Sequence, residues 1–343
     1  MSLPDWPRAW GEPLGSGRLK VEPADFQVNE VLPETPSGEG EHLWLTVEKT
    51  GQNTAWLARQ LANWANLSPR EVSYAGLKDR HAVTTQTFSL HLPGRDDPQQ
   101  VLAIDGVRIL KQQRHHRKLK TGQLVGNDFR IRVRAFNGDA QALAERWQRL
   151  VEQGFPNYFG PQRFGRNGSN LSRARDWFQG EAKLRREQRG IHLSAVRSYL
   201  FNALLARRVA DGNWNQWLAG DYLQFREGQG GFVCLDAEPH DLERVESGQL
   251  SPTASLPGRI RESLGPLDER EAQWLADEAF WLEGLTQRGI ERGLRKLRVF
   301  AERGTLEWQD GDPVFAFFLP AGSYATTALR EVVTLNDDDD GDE

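Results

Sequence analysis

One cysteine, Cys234, is all the thiol that this 343-residue chain carries, so it forms no internal disulfide and no CxxC metal knuckle. It has no run near the roughly 20 apolar residues that span a bilayer. Its first residues, MSLPDWPRAWGEPLGSG, lack the basic-then-apolar layout of a secretory leader. A cytoplasmic protein without membrane attachment is the expectation. Also missing are a GxxxxGK(S/T) loop and a GxGxxG that opens a helix after a strand, so nucleotide-dependent chemistry has no support. There is no HExxH and no Cys/His spacing of a zinc site. Cys234 lies in an apolar stretch and reads as core rather than nucleophile.

An overall excess of positive charge is missing too, since 43 Lys and Arg face 48 Asp and Glu. The distribution matters more than the total. The stretch from Asp337 to Glu343 holds six acids and no base, which leaves the body close to neutral and marks a disordered acidic tail. Three segments are strongly basic. Gly106 to Asn127 holds Arg108, Lys111, Arg114, Arg117, Lys118 and Lys120 without an acid, beside His115 and His116. Pro161 to Arg175 holds Arg163, Arg166, Arg173 and Arg175, and Arg288 to Arg298 sets five bases against Glu291. Clustered bases on a neutral body are the footprint of a phosphate-backbone contact. Solvated surface segments would look the same. If the first run faces RNA, replacing Arg114, Arg117 and Lys118 by alanine weakens binding and flattens its salt dependence.

Hydropathy patterning predicts an α+β chain long enough for two domains. His42 to Glu48 alternates as a half-buried strand, and Asn53 caps a helix with Leu57, Leu61, Trp64 and Ala65 on one face. Ser68-Pro69-Arg70-Glu71 has capping-box spacing. A loop Leu77–His81 precedes a strand from Thr84 to Leu92, and Phe129 to Arg134 alternates again. Asp139 caps a helix that Gly154 ends. Then the texture becomes richer in Arg, Gly and Trp, with a helix through Val196, Tyr199, Leu200 and Leu204 and short strands at Asp221–Phe225 and Gly231–Leu235. From Val299 strands return, around a hairpin turn Gln309-Asp310-Gly311-Asp312, and a last helix begins near Ser323.

Few residues invite chemistry on local grounds. Asp79 sits in a Gly-containing loop between Lys78 and Arg80, whose charges would keep a carboxylate ionised as nucleophile or base. A loop aspartate bonded to its own backbone fits the same spacing. Lys20 to Glu30 is dense in ionisable groups around Val21, Phe26 and Val28. Asn127-Asp128-Phe129 ends the first basic run where phosphates would arrive, and Leu319 to Thr326 is a strand–turn–helix junction whose Tyr324 could stack on a base.

Six segments together resemble the TruD family of tRNA pseudouridine synthases. They are KVEPADFQVNE from Lys20, YAGLKDRHAVTTQ from Tyr74, GNDFRIRVR from Gly126, NYFGPQRFG from Asn157, LSAVRSYLFN from Leu193 and LPAGSYATTALRE from Leu319. They span about nine-tenths of the chain in one order. The resemblance implies a pseudouridine-synthase catalytic domain, a mixed and mostly antiparallel sheet flanked by helices, over residues 1–153 and 300–336. An α+β TRUD domain would be inserted at 154–299, in a V-shaped molecule with an RNA cleft, before the tail at 337–343. It implies a tRNA partner, a monomer, and an isomerase acting on the uridine at position 13, in the D-arm. Asp79 falls on the family's nucleophile and Lys20 on its basic partner. Phe26, Asn127, Phe129 and Tyr324 fall on positions that contact substrate, with Glu22 a further carry-over. Because the isomerisation changes no oxidation state and loses no group, it calls for no cofactor. Two other readings stay open on the residues alone. One is an RNA-binding protein or RNA chaperone without activity; the other is a retaining glycosidase, which needs a second carboxylate about 5–5.5 Å from the first.

Overall fold

The computed structural model describes residues 3–228 and 230–337, so the acidic tail beyond Asp337 lies outside the described residues. Two compact units are present. One takes residues 149–300 and 323–332 with the N-terminal stretch up to Pro13; the other takes 14–148, 301–322 and the C-terminal stretch from Val333. No helix among the described residues is long and apolar enough to cross a membrane.

The second unit holds a ten-stranded, mostly antiparallel sheet. Its first half runs β1 (Gly15–Leu19), β2 (Phe26–Val31), β3 (His42–Thr50), helix α1 (Thr54–Trp64), β4 (Val72–Tyr74), β5 (Val83–His91), β6 (Val107–His115), β7 (Gly126–Gly138) and helix α2 (Ala140–Gln153). In the other unit follow β8 (Phe155–Pro156), α3 (Ser169–Gln179), α4 (Arg186–Ala210), β9 (Asp221–Phe225), β10 (Gly231–Cys234), α5 (Pro239–Glu246), β11 (Leu250–Leu256), α6 (Pro266–Trp274), α7 (Ala279–Gln287), β12 (Gly293–Lys296) and β13 (Arg298–Val299). The chain returns to the large sheet as β14 (Glu302–Gln309) and β15 (Asp312–Pro320), makes the five-residue helix α8 (Ala325–Leu329), and ends in β16 (Thr334–Asp337). Strand order in the large sheet is β14-β15-β7-β2-β5-β3-β6, with β1 bridging β7 and β16, and β4 on β5. Only β2–β5 and β1–β16 pair in parallel.

Local chemistry explains most of these boundaries. Asn53 Oδ1 accepts from the N–H groups of Ala55 and Trp56, starting α1. Leu57 and Leu61 of α1 then bury completely against Leu43, Leu45 and Val47 of β3, each contributing about 1.5–3 kcal/mol. Asp310 and Gly311 both have positive φ, 53° and 84°, the geometry of a tight two-residue turn between β14 and β15. In the other unit α4 carries the core through Val196, Leu200, Phe201, Leu204 and Leu205, packed with Leu171 of α3 and Trp281 and Leu285 of α7. A four-stranded sheet, β10-β9-β11-β12, stands beside this core, and Cys234 is buried in it as expected for a packing residue.

One expectation missed an element. The first basic run contains β6, an edge strand paired with β3 along its whole length. Its bases hide the apolar alternation, and a bulge opposite Thr46 and Val47 breaks the period.

Candidate active site

Asp79 lies on the loop between β4 and β5, and four side chains from outside, with two of the loop's own, fix its course. Gln86 of β5 donates to the Gly76 carbonyl at 3.2 Å. The Thr54 hydroxyl bonds Gln86 at 2.8 Å and accepts from the Lys78 N–H at 3.0 Å. Lys49 donates to the carbonyls of Asp79 at 2.9 Å and Gln52 at 2.8 Å. Lys78 turns its ammonium onto Glu30 of β2 at 2.9 Å, with both side chains almost fully buried. Arg80 points the other way, to the Gly51 carbonyl at 3.0 Å. The two charges that flank Asp79 in sequence are thus spent elsewhere, which corrects the expectation that they hold its carboxylate ionised.

That task falls to Lys20, one residue beyond β1. Its ammonium bonds Asp79 Oδ2 and stands 4.6 Å from the centre of the Phe26 ring. Asp79 Oδ1 accepts from the His81 N–H at 3.1 Å. Burial pushes the Asp79 carboxyl up, yet the Lys20 charge, its hydrogen bond and the His81 N–H outweigh it, so the group sits below the ordinary carboxylate value. The side chain stays 36% exposed, so an ionised oxygen is reachable from solvent. Lys49 behaves differently. Entirely buried, its ammonium is pushed down to about 8, chiefly by desolvation.

Sheet register gathers the aromatic candidates. Across β2 and β7, Phe26 faces Ile131, Val28 faces Phe129 and Glu30 faces Asn127. On the far side of β7, Phe317 and Leu319 of β15 face Phe129 and Asn127. Side chains directly opposite share one face of the sheet. Phe129 meets Phe26 edge-on at 6.2 Å and stacks on Phe317 at 5.6 Å. Asn127 stands one alternation along from Phe129, and its buried Oδ1 has no hydrogen-bond partner among the described residues.

Lys20, Phe26, Phe129 and Asp79 therefore form one connected set, with Asn127 on the same strand face. Glu22 does not join it. Its carboxylate pairs with Arg134 at 2.8 Å, beside the buried Asp25 on the same guanidinium. Tyr324 belongs to the other compact unit. There its hydroxyl accepts from Arg163 Nε at 2.8 Å, and its ring lies edge-on to Phe159 at 5.9 Å.

Sequence reasoning missed Lys49, the Glu30–Lys78 pair and the Thr54–Gln86 bond. Lys49 was findable. Leu43, Leu45 and Val47 alternate inward along β3 and Lys49 is the next inward position, where a lysine is out of place without a task.

The basic runs divide sharply. In the first, Arg108, Arg114 and Arg117 pair with Glu48, Asp97 and Glu34, and His115 is buried against Trp44 at 4.4 Å. Only Lys111, Lys118 and Lys120 stand exposed there without an ion pair among the described residues. In the third, Arg292 pairs with Asp268, Arg295 is packed 4.0 Å from the Phe159 ring centre, and Arg298 is buried on three backbone carbonyls. Burial lowers Arg295 to about 9 and Arg298 to about 10.

Comparison with known proteins bears on the chain as a whole. The family model described as tRNA pseudouridine synthase D (TruD) matches residues 9–173 and 169–332. The tRNA pseudouridine synthase D of Hydrogenovibrio crunogenus is 43% identical over 343 residues, covering 99% of each chain. That of Ectopseudomonas mendocina is 46% identical, covering 96% of this chain and 94% of its own. Among solved structures, the crystal structure assigned as a tRNA pseudouridine synthase D from Methanosarcina mazei superposes with a TM-score of 0.74. It covers 96% of this chain and 98% of its own at 22% identity, a likeness of fold. By sequence along nearly its whole length, this chain belongs to the tRNA pseudouridine synthase D (TruD) family.

Proposed function

We propose that this protein isomerises the uridine at position 13, in the D-arm of tRNA, to pseudouridine, with Asp79 as the nucleophile. The observation that carries the reading is an ionised, solvent-reachable carboxylate clamped by Lys20 beside the rings of Phe26 and Phe129. Pseudouridine forms when the bond from ribose C1′ to uracil N1 breaks, the base turns, and C1′ bonds to C5. Addition of a carboxylate to C6, and its attack on C1′, both need the charged oxygen that Lys20 maintains. Elimination to a glycal needs a base at the same place, and a base must also take the C5 proton at the end.

The uridine leaves its stack at a cost of a few kcal/mol. An aromatic partner returns about 1–3 kcal/mol, which is the role proposed for Phe129, with Phe26 holding the lysine and Asn127 offering its unmet oxygen to the base. Tyr324 is proposed as a further ring that contacts the RNA; Glu22, committed to Arg134, takes no direct part. The unit that holds Asp79 is proposed as the catalytic domain. A retaining glycosidase fits less well, because Glu22, Asp25 and Glu30 are all engaged by Arg134 or Lys78.

The test is carbodiimide-stop primer extension on tRNA treated with wild type, Asp79→Ala or Asp79→Asn. We expect a stop at one D-arm uridine with wild type and none with either variant, while tRNA binding persists. Equal stops from all three proteins would remove Asp79 from the reaction; no stop from any of them, with tRNA still bound, would leave an RNA-binding role.

A further inference from the structure

We infer that the corner between α3 and α4 is a second phosphate-backbone contact for tRNA, distinct from the residues around Asp79. The inference rests on the reading of tRNA as substrate and adds where else the RNA is held. It begins from the fate of the three basic runs. Half of the first, Arg108, Arg114 and Arg117, is neutralised by Glu48, Asp97 and Glu34, and the third is largely built into the interior of its unit. The middle run differs, and it continues past Arg175 into α4.

Arg173 of α3, Lys183 and Arg185 of the connecting loop and Arg186 at the start of α4 are all exposed. None of the four has an ion pair among the described residues. Local geometry draws them together. Arg173 and Trp177 are four residues apart on α3, hence on one face of the helix. Gly180, at φ 82°, lets the chain turn back, with the N–H groups of Glu181 and Ala182 both on the Asp176 carbonyl. From α4, Arg189 reaches back over the Trp177 ring at 5.8 Å and donates to the Leu184 carbonyl at 3.2 Å. Arg288 lies 4.4 Å from the same ring and donates to the Trp177 carbonyl, which anchors the corner to α7. Three acids share the stretch, Asp176, Glu181 and Glu187, against six bases from Arg173 to Arg189. The surplus is therefore positive and presented on a braced turn, and Arg173, Lys183, Arg185 and Arg186 are unclaimed by carboxylates among the described residues. Guanidinium and ammonium groups so placed suit a run of phosphates, with no means of reading bases.

The experiment compares tRNA binding by wild type and by the full-length variant Arg173→Ala/Lys183→Ala/Arg185→Ala/Arg186→Ala, from 50 to 300 mM KCl. Arg189 is left in place because it packs on Trp177. Expected are a Kd raised about tenfold or more at 150 mM and a log–log salt slope shallower by about two or more, as lost phosphate contacts require. The reversal Lys183→Glu/Arg186→Glu, on exposed positions, should weaken binding further and serves if the fourfold variant is unstable. A slope equal to wild type in a folded variant overturns the inference and leaves an acidic protein surface as the partner of this corner. Pseudouridine formation by wild type on the same tRNA tests the underlying reading separately: no product there would defeat the proposed function, whatever the slopes show.

Discussion

Lys20 grips Asp79 from a backbone conformation that lysine rarely adopts, with φ at +57°. A side chain with a Cβ pays about 1–2 kcal/mol to sit there, and glycine pays nothing comparable. Keeping a lysine at such a position makes sense if its ammonium is worth more to the site than the strain costs the fold.

The first prediction separates those two quantities. Lys20→Met removes the charge and its hydrogen bond, the two strongest opponents of burial, and leaves only His81 against it, so the Asp79 carboxyl rises from its lowered pKa. The acid limb of the kcat/KM profile should shift to higher pH, and activity at neutral pH should fall. Lys20→Gly should lose activity as well, even though it relieves about 1–2 kcal/mol of backbone strain. An acid limb that stays where wild type has it would show that Lys20 does not set the charge of Asp79.

Lys49 gives the second. It secures the Asp79 carbonyl from a fully buried position, and a displacement of about 1 Å in a reacting group costs roughly a hundredfold in rate. Lys49→Met should therefore cut kcat by about ten- to a hundredfold while the tRNA Kd holds. Its folded pKa, lowered to about 8, also leaves a thermodynamic signature. Between pH 8 and the ordinary lysine value near 10.5 the unfolded chain binds a proton that the native protein does not, so this residue makes stability rise with pH across that window. Thermal midpoints at pH 7.5 and 10 should show that rise in wild type and lack it in the variant.

A third concerns Glu271 in α6, buried with its Oε1 on the Ser255 N–H at 2.8 Å and its pKa raised to about 7, chiefly by desolvation. The native state keeps a proton that the unfolded chain has lost, so the stabilisation is complete below the ordinary value of 4.5 and disappears as pH rises through about 7. Glu271→Gln keeps the acceptor and removes the charge. Its stability relative to wild type should improve between pH 5 and pH 8, by on the order of 2 kcal/mol. A constant difference between the two midpoints would contradict the shift.

Arg114 supplies the fourth. Its guanidinium bonds the carbonyls of Leu92 and Arg95 and pairs with Asp97 at 2.7 Å. Arg114→Ala should cost about 2–3 kcal/mol of stability by stranding those groups, and should leave the salt slope of tRNA binding unchanged. From sequence, Arg114 was grouped with Arg117 and Lys118 as a set whose joint replacement flattens that slope; the single variant separates Arg114 from the exposed Lys118.

Arg114 also shows where sequence reading ran out. Alternation and capping were legible for β3, α1 and the β14–β15 hairpin, because period, caps and turn residues are local properties. Asp79 was legible as a candidate from its loop and from the resemblance. Its true surroundings were not. Neighbours in sequence, Lys78 and Arg80, turn away, while Lys20, just past β1 and 59 residues earlier, supplies the charge. Which bases face solvent was equally hidden, since a guanidinium reads the same whether it is exposed, as Arg173 is, or buried on backbone carbonyls, as Arg298 is.

The strand order of the large sheet also constrains when the protein can become complete during synthesis. β7, which carries Asn127 and Phe129, finds one of its neighbours in β15, almost two hundred residues later. Until the ribosome has delivered that strand, Phe129 has no Phe317 to lean on, and one edge of β7 offers bare amides and carbonyls to the solvent. A nascent chain must therefore hold the platform of its own reaction half-built while the intervening unit is made.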